Sequence, residues 1–277
     1  MPELPDLLHI QRILTRDVAG RKVTGTRVRE PIILRCALPG GLDLLEGATL
    51  TEVERRTHFL VFRFEAHDLA VNPMLAGRFR WDAWDARDPA SLGFAVAFGD
   101  RELRYLDDKK MGKAYLVPRD QWSSVPGLDA AGLQVLSATF TPAAFAGIVR
   151  HRRDQVRVFL LDKRALDSLG NAYADEVLFE ARIHPKTWCR SLSPPDVQAL
   201  HAAIVKVMTE AVAEVARRNE PIDVKVRDFL KIRLRKECPR CGAKVRKAGV
   251  KGMDAYFCPL CQPATRAALV DWTRTGK

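Results

Sequence analysis

The chain has 277 residues, enough for one large domain or two modest ones, and 47% of them are hydrophobic, enough for real cores. No apolar run approaches the length of a bilayer span and the start lacks a secretion pattern, so a soluble cytoplasmic protein without a membrane partner is expected. The 45 Lys and Arg outweigh 34 Asp and Glu for a formal net charge of +11, which points to a polyanionic partner, nucleic acid first among them.

The chain opens Met1-Pro2-Glu3-Leu4-Pro5-Asp6. A Met before Pro is normally trimmed, which is expected to leave Pro2 with a free secondary amine. Such an amine has a pKa of roughly 8, so part of it is nucleophilic near neutral pH. It can attack carbonyl-level carbon to form a Schiff base while the neighbouring Glu3 carboxyl moves protons. A proline without any role is the ordinary alternative. Residues 5 to 18 carry Leu7, Leu8, Ile10, Ile13, Leu14 and Val18 near helical spacing, with Asp6 as the cap. After Gly20 come short apolar or alternating runs at 23–28, 32–38, 49–55, 59–64, 78–84, 94–98 and 103–106, separated by Gly-rich turns. Strands at this spacing predict an antiparallel sandwich or barrel.

Residues 118 to 130, with Pro118, Pro126 and Gly127, read as a linker. Helices are expected at 142–152, 154–167, 173–183 and 193–218, the last opening Ser193-Pro194-Pro195-Asp196, and a short one at 224–234. The second and third are joined by Ser168-Leu169-Gly170-Asn171, whose amides suit a phosphate, although such a turn is more often a plain helix connection. Basic residues crowd 151–153, Arg217-Arg218 and Lys225 to Lys251; a single pair reads as a solvated face, the C-terminal group as a phosphate-tracking surface. Of six Cys, four stand as Cys238-x2-Cys241 and Cys258-x2-Cys261, the spacing of one tetrahedral structural Zn2+ site. Redox or disulfide pairs are the alternative. Cys36 and Cys189 read as ordinary buried or half-buried thiols.

In this order the pieces resemble the formamidopyrimidine-DNA glycosylase and endonuclease VIII family, closer to the formamidopyrimidine branch. The resemblance rests on Pro2 to Pro5, Val53-Glu54-Arg55-Arg56, Met74, Leu160-Leu161-Asp162, Leu169 to Ala174, Ile183-His184-Pro185, Leu192-Ser193 and the four-Cys finger. It implies an α+β multidomain fold. A catalytic β-sandwich with a leading helix would span 1–117, a helix-two-turns-helix DNA-binding domain 131–234, and a β-hairpin zinc finger with its tail 235–277. It also implies base excision with β- and δ-elimination: Pro2 attacks C1′ of the damaged nucleotide, and Glu3 serves as acid and base. Met74 would fill the place of the flipped base, and Asn171 would hold a phosphate.

Several residues depart from the family's pattern. His58 stands where the family usually has a phosphate-contacting Lys, and is grouped with Pro2 and Glu3 as a site residue; a strand residue without a role is its alternative. Asp108-Lys109-Lys110-Met111-Gly112 replaces Pro-Arg-Arg-Phe-Gly, so Lys109 and Lys110 lack arginine's fork and Met111 would be a flexible wedge. Asp6 replaces a Glu. The finger reads Met253-Asp254-Ala255-Tyr256-Phe257-Cys258 and lacks the family's phosphate-gripping Arg, for which Lys247 and Lys251, or Arg246, could compensate. The stretch from Arg227 to Cys238 is short, carries Arg233 and Arg235, and leaves the lesion pocket open. The expected function is excision of a damaged base from double-stranded DNA by a monomer. The alternatives are a glycosylase for oxidised pyrimidines, alkylated or bulky bases, and a non-catalytic binder of abasic or distorted DNA.

Overall fold

The computed structural model describes residues 2–35, 38–84, 86–129, 132–167 and 169–264. Met1, Cys36, Ser168 of the expected turn and the tail 265–277 lie outside the described residues. The chain forms two compact units, one of Met1–Ala130 with Val212–Val226 and one of Ala131–Ala211 with Arg227–Lys277.

The first unit begins with helix α1 (Leu4–Val18), whose Leu7, Ile10, Leu14 and Val18 recur at three- and four-residue intervals and are all buried. Asp6 does not precede this helix as its cap. It sits in the first turn and reaches back, its Oδ2 accepting the Glu3 N–H at 2.8 Å. Eight strands follow: β1 (Gly25–Val28), β2 (Leu50–Arg56), β3 (Phe59–Phe64), β4 (His67–Asn72), β5 (Arg78–Ala83), β6 (Leu92–Phe98), β7 (Arg101–Leu106) and β8 (Lys113–Pro118). They build two antiparallel four-stranded sheets, ordered β1-β6-β7-β5 and β2-β3-β4-β8. Phe62, Val71 and Leu116 of one sheet share a core with Phe79, Phe94 and Tyr105 of the other, with α1, and with Ile222 of the returning segment. This is the expected sandwich with its leading helix.

On the other face of β3, Phe59 and Val61 pack with Ala70, Val117, Val125 and Leu128. The segment read as a linker is therefore a packed cover of the sheet, with Leu128 fully buried, and burial on both faces explains why β3 is apolar except at Arg63. Among the described residues of 32–38 there is no strand. Pro31 starts a 3-10 turn (Pro31–Ile33), and Leu34 makes one isolated bridge to Ala114. Strands β4 and β8 escaped the sequence reading, since His67, Asp68, Asn72 and Lys113 break their apolar alternation.

The second unit contains β9 (Leu133–Gln134), α2 (Pro142–Val149), α3 (Val156–Leu160), β10 (Leu166–Asp167) parallel to β9, and α4 (Asn171–Glu180). Helix α5 (Pro194–Arg218) contributes residues to both units, and β11 (Arg246–Val250) and β12 (Met253–Phe257) form the C-terminal hairpin. The helix expected over 154–167 shrinks to α3, because Asp162 Oδ1 captures the Arg164 N–H at 3.0 Å and turns the chain. Residues 224–234 form turns and no helix, since the Glu176 carboxylate takes the N–H groups of Lys231, Ile232 and Arg233. Among the described residues no helix is long and apolar enough to cross a membrane.

Candidate active site and nucleic-acid interface

Pro2 is buried just before α1 and lines a cleft of about 10 Å³, shared with Asp6, His9, Gly77, Arg78 and Lys225. That volume holds about one water molecule. Glu3 is 6% exposed and its backbone is fixed by Asp6, so the positive end of the helix faces the Pro2-Glu3 pair and favours a carboxylate there. Gly77 is required where it stands. A Cβ there would lie 2.4 Å from the Pro73 carbonyl oxygen and 2.1 Å from the Tyr105 hydroxyl. Beside it Met74 takes a positive φ of 48°, held by its N–H donating to Asn72 Oδ1 at 3.0 Å, and stands half-buried before an exposed Leu75.

The loop at Lys109, Lys110 and Met111 is built on one buried carboxylate. Asp107 accepts the Lys109 N–H at 3.0 Å and the Gly112 N–H at 2.6 Å, which pinches the stem and pushes the three residues outward. Met111 is 41% exposed, while Lys110 Nζ lies 2.7 Å from Glu30 Oε1, an exposed pair of little energetic worth. Arg78 connects loop and cleft, since it lines the cleft and pairs with Asp108 at 2.9 Å. His58 stands apart on the β2–β3 turn with its ring 4.8 Å from that of Phe59, and does not line the cleft at Pro2.

In the second unit Asn171 is the first residue of α4, at the N-terminal end of the helix, where the positive pole of its dipole suits an anion. Its Oδ1 accepts from Arg157 Nη2 at 3.0 Å, its Nδ2 lies 3.7 Å from Met253 Sδ, and its carbonyl accepts from Arg233 Nη1 at 3.3 Å. Arg157 is fully buried; its Nε donates to Asp175 Oδ1 at 2.9 Å and its Nη2 to the Asp254 carbonyl at 3.1 Å. Asp175 also takes Arg233 on Oδ2, so two guanidiniums converge on one carboxylate beneath Asn171. Burial pushes the Asp175 carboxyl above its ordinary range while both arginines pull it back. Burial does the same to Glu176, opposed by the three backbone N–H groups it holds.

Arg233 and Arg235 both line a 290 Å³ cleft with Ala172 and Arg227, but only Arg233 faces Asn171. Arg235 turns back on its own segment, donating to the carbonyls of Leu230 and Asp228. On the hairpin, Lys247 pairs with Asp254 at 3.0 Å and lies over the Tyr256 ring, and Lys251 occupies the exposed tip with a φ of 47°.

The Sγ atoms of Cys238, Cys241, Cys258 and Cys261 all lie within 4.8 Å of one another, with Cys238–Cys261 at 3.8 Å and Cys241–Cys258 at 3.5 Å. A tetrahedron of thiolates with Zn–S bonds of about 2.3 Å has edges of about 3.8 Å, so the four residues fit one structural zinc ion. Sequence reading missed Arg157, Asp175, Glu176, His9 and Lys225. For Asp175-Glu176 a signal did exist, because two adjacent acids in the middle of a mostly apolar helix demand partners.

Comparison with known proteins gives a consistent result. The formamidopyrimidine-DNA glycosylase N-terminal domain matches residues 1–114, the formamidopyrimidine-DNA glycosylase H2TH domain residues 131–219, and the zinc finger found in FPG and IleRS residues 235–264. The chain is 33% identical to the formamidopyrimidine-DNA glycosylase of Symbiobacterium thermophilum, over 95% of this chain and 90% of that protein. It is 25% identical to Lactococcus lactis formamidopyrimidine DNA glycosylase bound to DNA containing an AP site, with a TM-score of 0.85 over 95% of this chain and all of that one. The same L. lactis protein bound to DNA containing an oxidised pyrimidine is 26% identical with a TM-score of 0.86, again over 95% of this chain and all of that one.

Proposed function

The chain belongs to the formamidopyrimidine-DNA glycosylase family, and from that premise we propose that it excises a damaged base from duplex DNA and then cleaves the abasic strand. The observation that carries this reading is Pro2 lining the cleft beside the Met74 turn, next in sequence to a buried Glu3 at the capped start of α1. Removal of Met1 gives Pro2 its amine. The nitrogen then bonds to C1′ of deoxyribose as the bond from C1′ to the base breaks, and Glu3 protonates the ring oxygen so that the C1′–O4′ bond opens to an iminium. The resulting iminium acidifies the adjacent C–H, so the C3′–O and C5′–O bonds break in successive eliminations, and water returns the amine.

DNA contacts would come from Met74, Lys109, Lys110 and Met111 in the first unit, and from Asn171, Arg233, Arg235, Lys247 and Lys251 in the second. His58 would serve as a further phosphate contact. The short path from Arg227 to Cys238 favours a second reading of specificity. Without a longer segment over the extruded base, lesions other than 8-oxoguanine, such as oxidised pyrimidines or alkylated and bulky bases, come within reach.

Borohydride reduction in the presence of abasic-site DNA is expected to trap a covalent adduct with the full-length protein, and Pro2→Gly is expected to remove it. Tight, salt-sensitive binding without any adduct would make the protein a binder of abasic or distorted DNA. Intact mass reports whether Met1 has left, and a panel of lesion duplexes separates the two specificities.

A further inference from the structure

The chain returns to the first unit after α5, and residues 219–225 are tied down there one after another. Arg12 Nη2 donates to Asn219 Oδ1 at 2.8 Å. The next residue, Glu220, has its carbonyl oxygen 2.8 Å from Nε2 of the buried His9. A carbonyl only accepts, so that nitrogen carries the hydrogen and Nδ1 is left to accept from Arg12 Nη2 at 3.3 Å. Ile222 enters the sandwich core, and Asp223 Oδ2 is gripped by Arg80 through Nε at 3.1 Å and Nη2 at 2.9 Å. The strap therefore has little freedom by the time it reaches Val224 and Lys225, which form a wall of the cleft holding Pro2.

Lys225 Nζ donates to the Leu75 carbonyl at 3.4 Å, which places the ammonium between the Pro2 cleft and the exposed turn of Met74 and Leu75. We propose that Lys225 is a phosphate-holding residue of this site, presented by the strap that His9, Arg12 and Arg80 fasten, and that it grips the backbone of the nucleotide offered to Pro2. The inference rests on the reading of Pro2 as the reacting group. The charged side chains around it are held in place, Asp6 by the Glu3 N–H, Arg78 by Asp108, and Asp223 by Arg80. An ammonium on the wall of the cleft offers a phosphate a charge-assisted hydrogen bond. Its flexible stem lets it follow a backbone that moves as the nucleotide turns out.

The test uses the full-length, zinc-loaded protein and a duplex carrying a tetrahydrofuran abasic analogue, with binding followed by fluorescence anisotropy across a series of KCl concentrations. Lys225→Ala is expected to weaken binding about tenfold at low salt, the worth of one charge-assisted contact. The slope of log K against log salt should become shallower by about 0.9, the signature of one lost phosphate contact. Lys225→Arg should restore the slope, and His9→Ala should lower affinity in the parent but add little on top of Lys225→Ala, because it acts through the strap. An unchanged slope and affinity in Lys225→Ala would overturn the assignment. So would an unchanged slope with loss of the borohydride adduct, which would give the amine a chemical role instead. Absence of any adduct in the parent protein would defeat the Pro2 reading alone, since the salt slope reports Lys225 independently.

Discussion

A single carboxylate organises the second unit's candidate phosphate site. Asp175 has no exposed surface on its side chain, yet it holds Arg157, Arg233 and the Tyr256 N–H, and through those arginines it sets the surroundings of Asn171. A negative charge at that depth is tolerable only because two guanidiniums answer it, and the converse holds for the fully buried Arg157. Asp175→Asn keeps the shape and removes the charge, so it is expected to destabilise the unit by about 3–5 kcal/mol, the usual cost of breaking one side of a buried ion pair. Urea unfolding measures this directly, and an unshifted midpoint would show that the pair contributes no stability. Residues such as Pro2, Glu3 and Asn171 could be singled out in the sequence because their chemistry lies in local patterns: a terminal pair, or a Gly-Asn helix start. Arg157 could not, because one of its partners lies 97 residues away along the chain, and the adjacent acids Asp175 and Glu176 signal a need for partners without saying which.

At the scale of elements, the C-terminal hairpin has almost no core of its own. Ala248, Val250, Ala255 and Phe257 are its buried strand residues, and its knuckles share a small cluster with Phe179 and Ile232. A structural zinc ion is thus expected to supply much of its folding free energy. Cys189 provides an internal control. Burial, helped by the Asp154 carboxylate, pushes its thiol up to about 12. At pH 8 roughly one Cys189 in ten thousand is then a thiolate, and labelling should quicken about tenfold with each unit of rising pH up to that value. Iodoacetamide at pH 8 followed by peptide mapping should leave Cys189 and all four knuckle cysteines unmodified in the metal-loaded protein. After chelation Cys238, Cys241, Cys258 and Cys261 should label while Cys189 stays silent. Labelling of Cys189 together with the four would mean that the metal supports the whole unit. The zinc site was legible from its cysteine spacing alone, α1 from its periodicity, and α5 from its capped Ser193-Pro194-Pro195-Asp196 start. Strands β4 and β8 were not, because they place His67, Asp68, Asn72 and Lys113 in ladder positions where neighbouring strands, and not propensity, decide the structure.

At the scale of the molecule, the two units are not two consecutive stretches of chain, and no composition signal announced this. Pro221-Ile222-Asp223 reads as an ordinary polar loop, yet Ile222 is 9% exposed and completes the core of a sandwich whose other members end at Leu116. The first unit is therefore finished only after residues 131–211 of the second have been made. Such a closing contact is long-range and should be a late, separately breakable part of the unit's stability. Ile222→Ala tests this. Truncating a buried Ile costs about 2–5 kcal/mol when the site cannot collapse, and here the strap is pinned on both sides by His9 and Arg80. Fluorescence of Trp81, which packs against the same core, should report a first-unit transition at lower urea with an unchanged slope. Zinc release, which follows the hairpin in the second unit, should keep its original midpoint. If both probes shifted together, the units would unfold as one cooperative body, and the returning segment would be a joint of the whole chain, with no separable role as a closing piece of the sandwich.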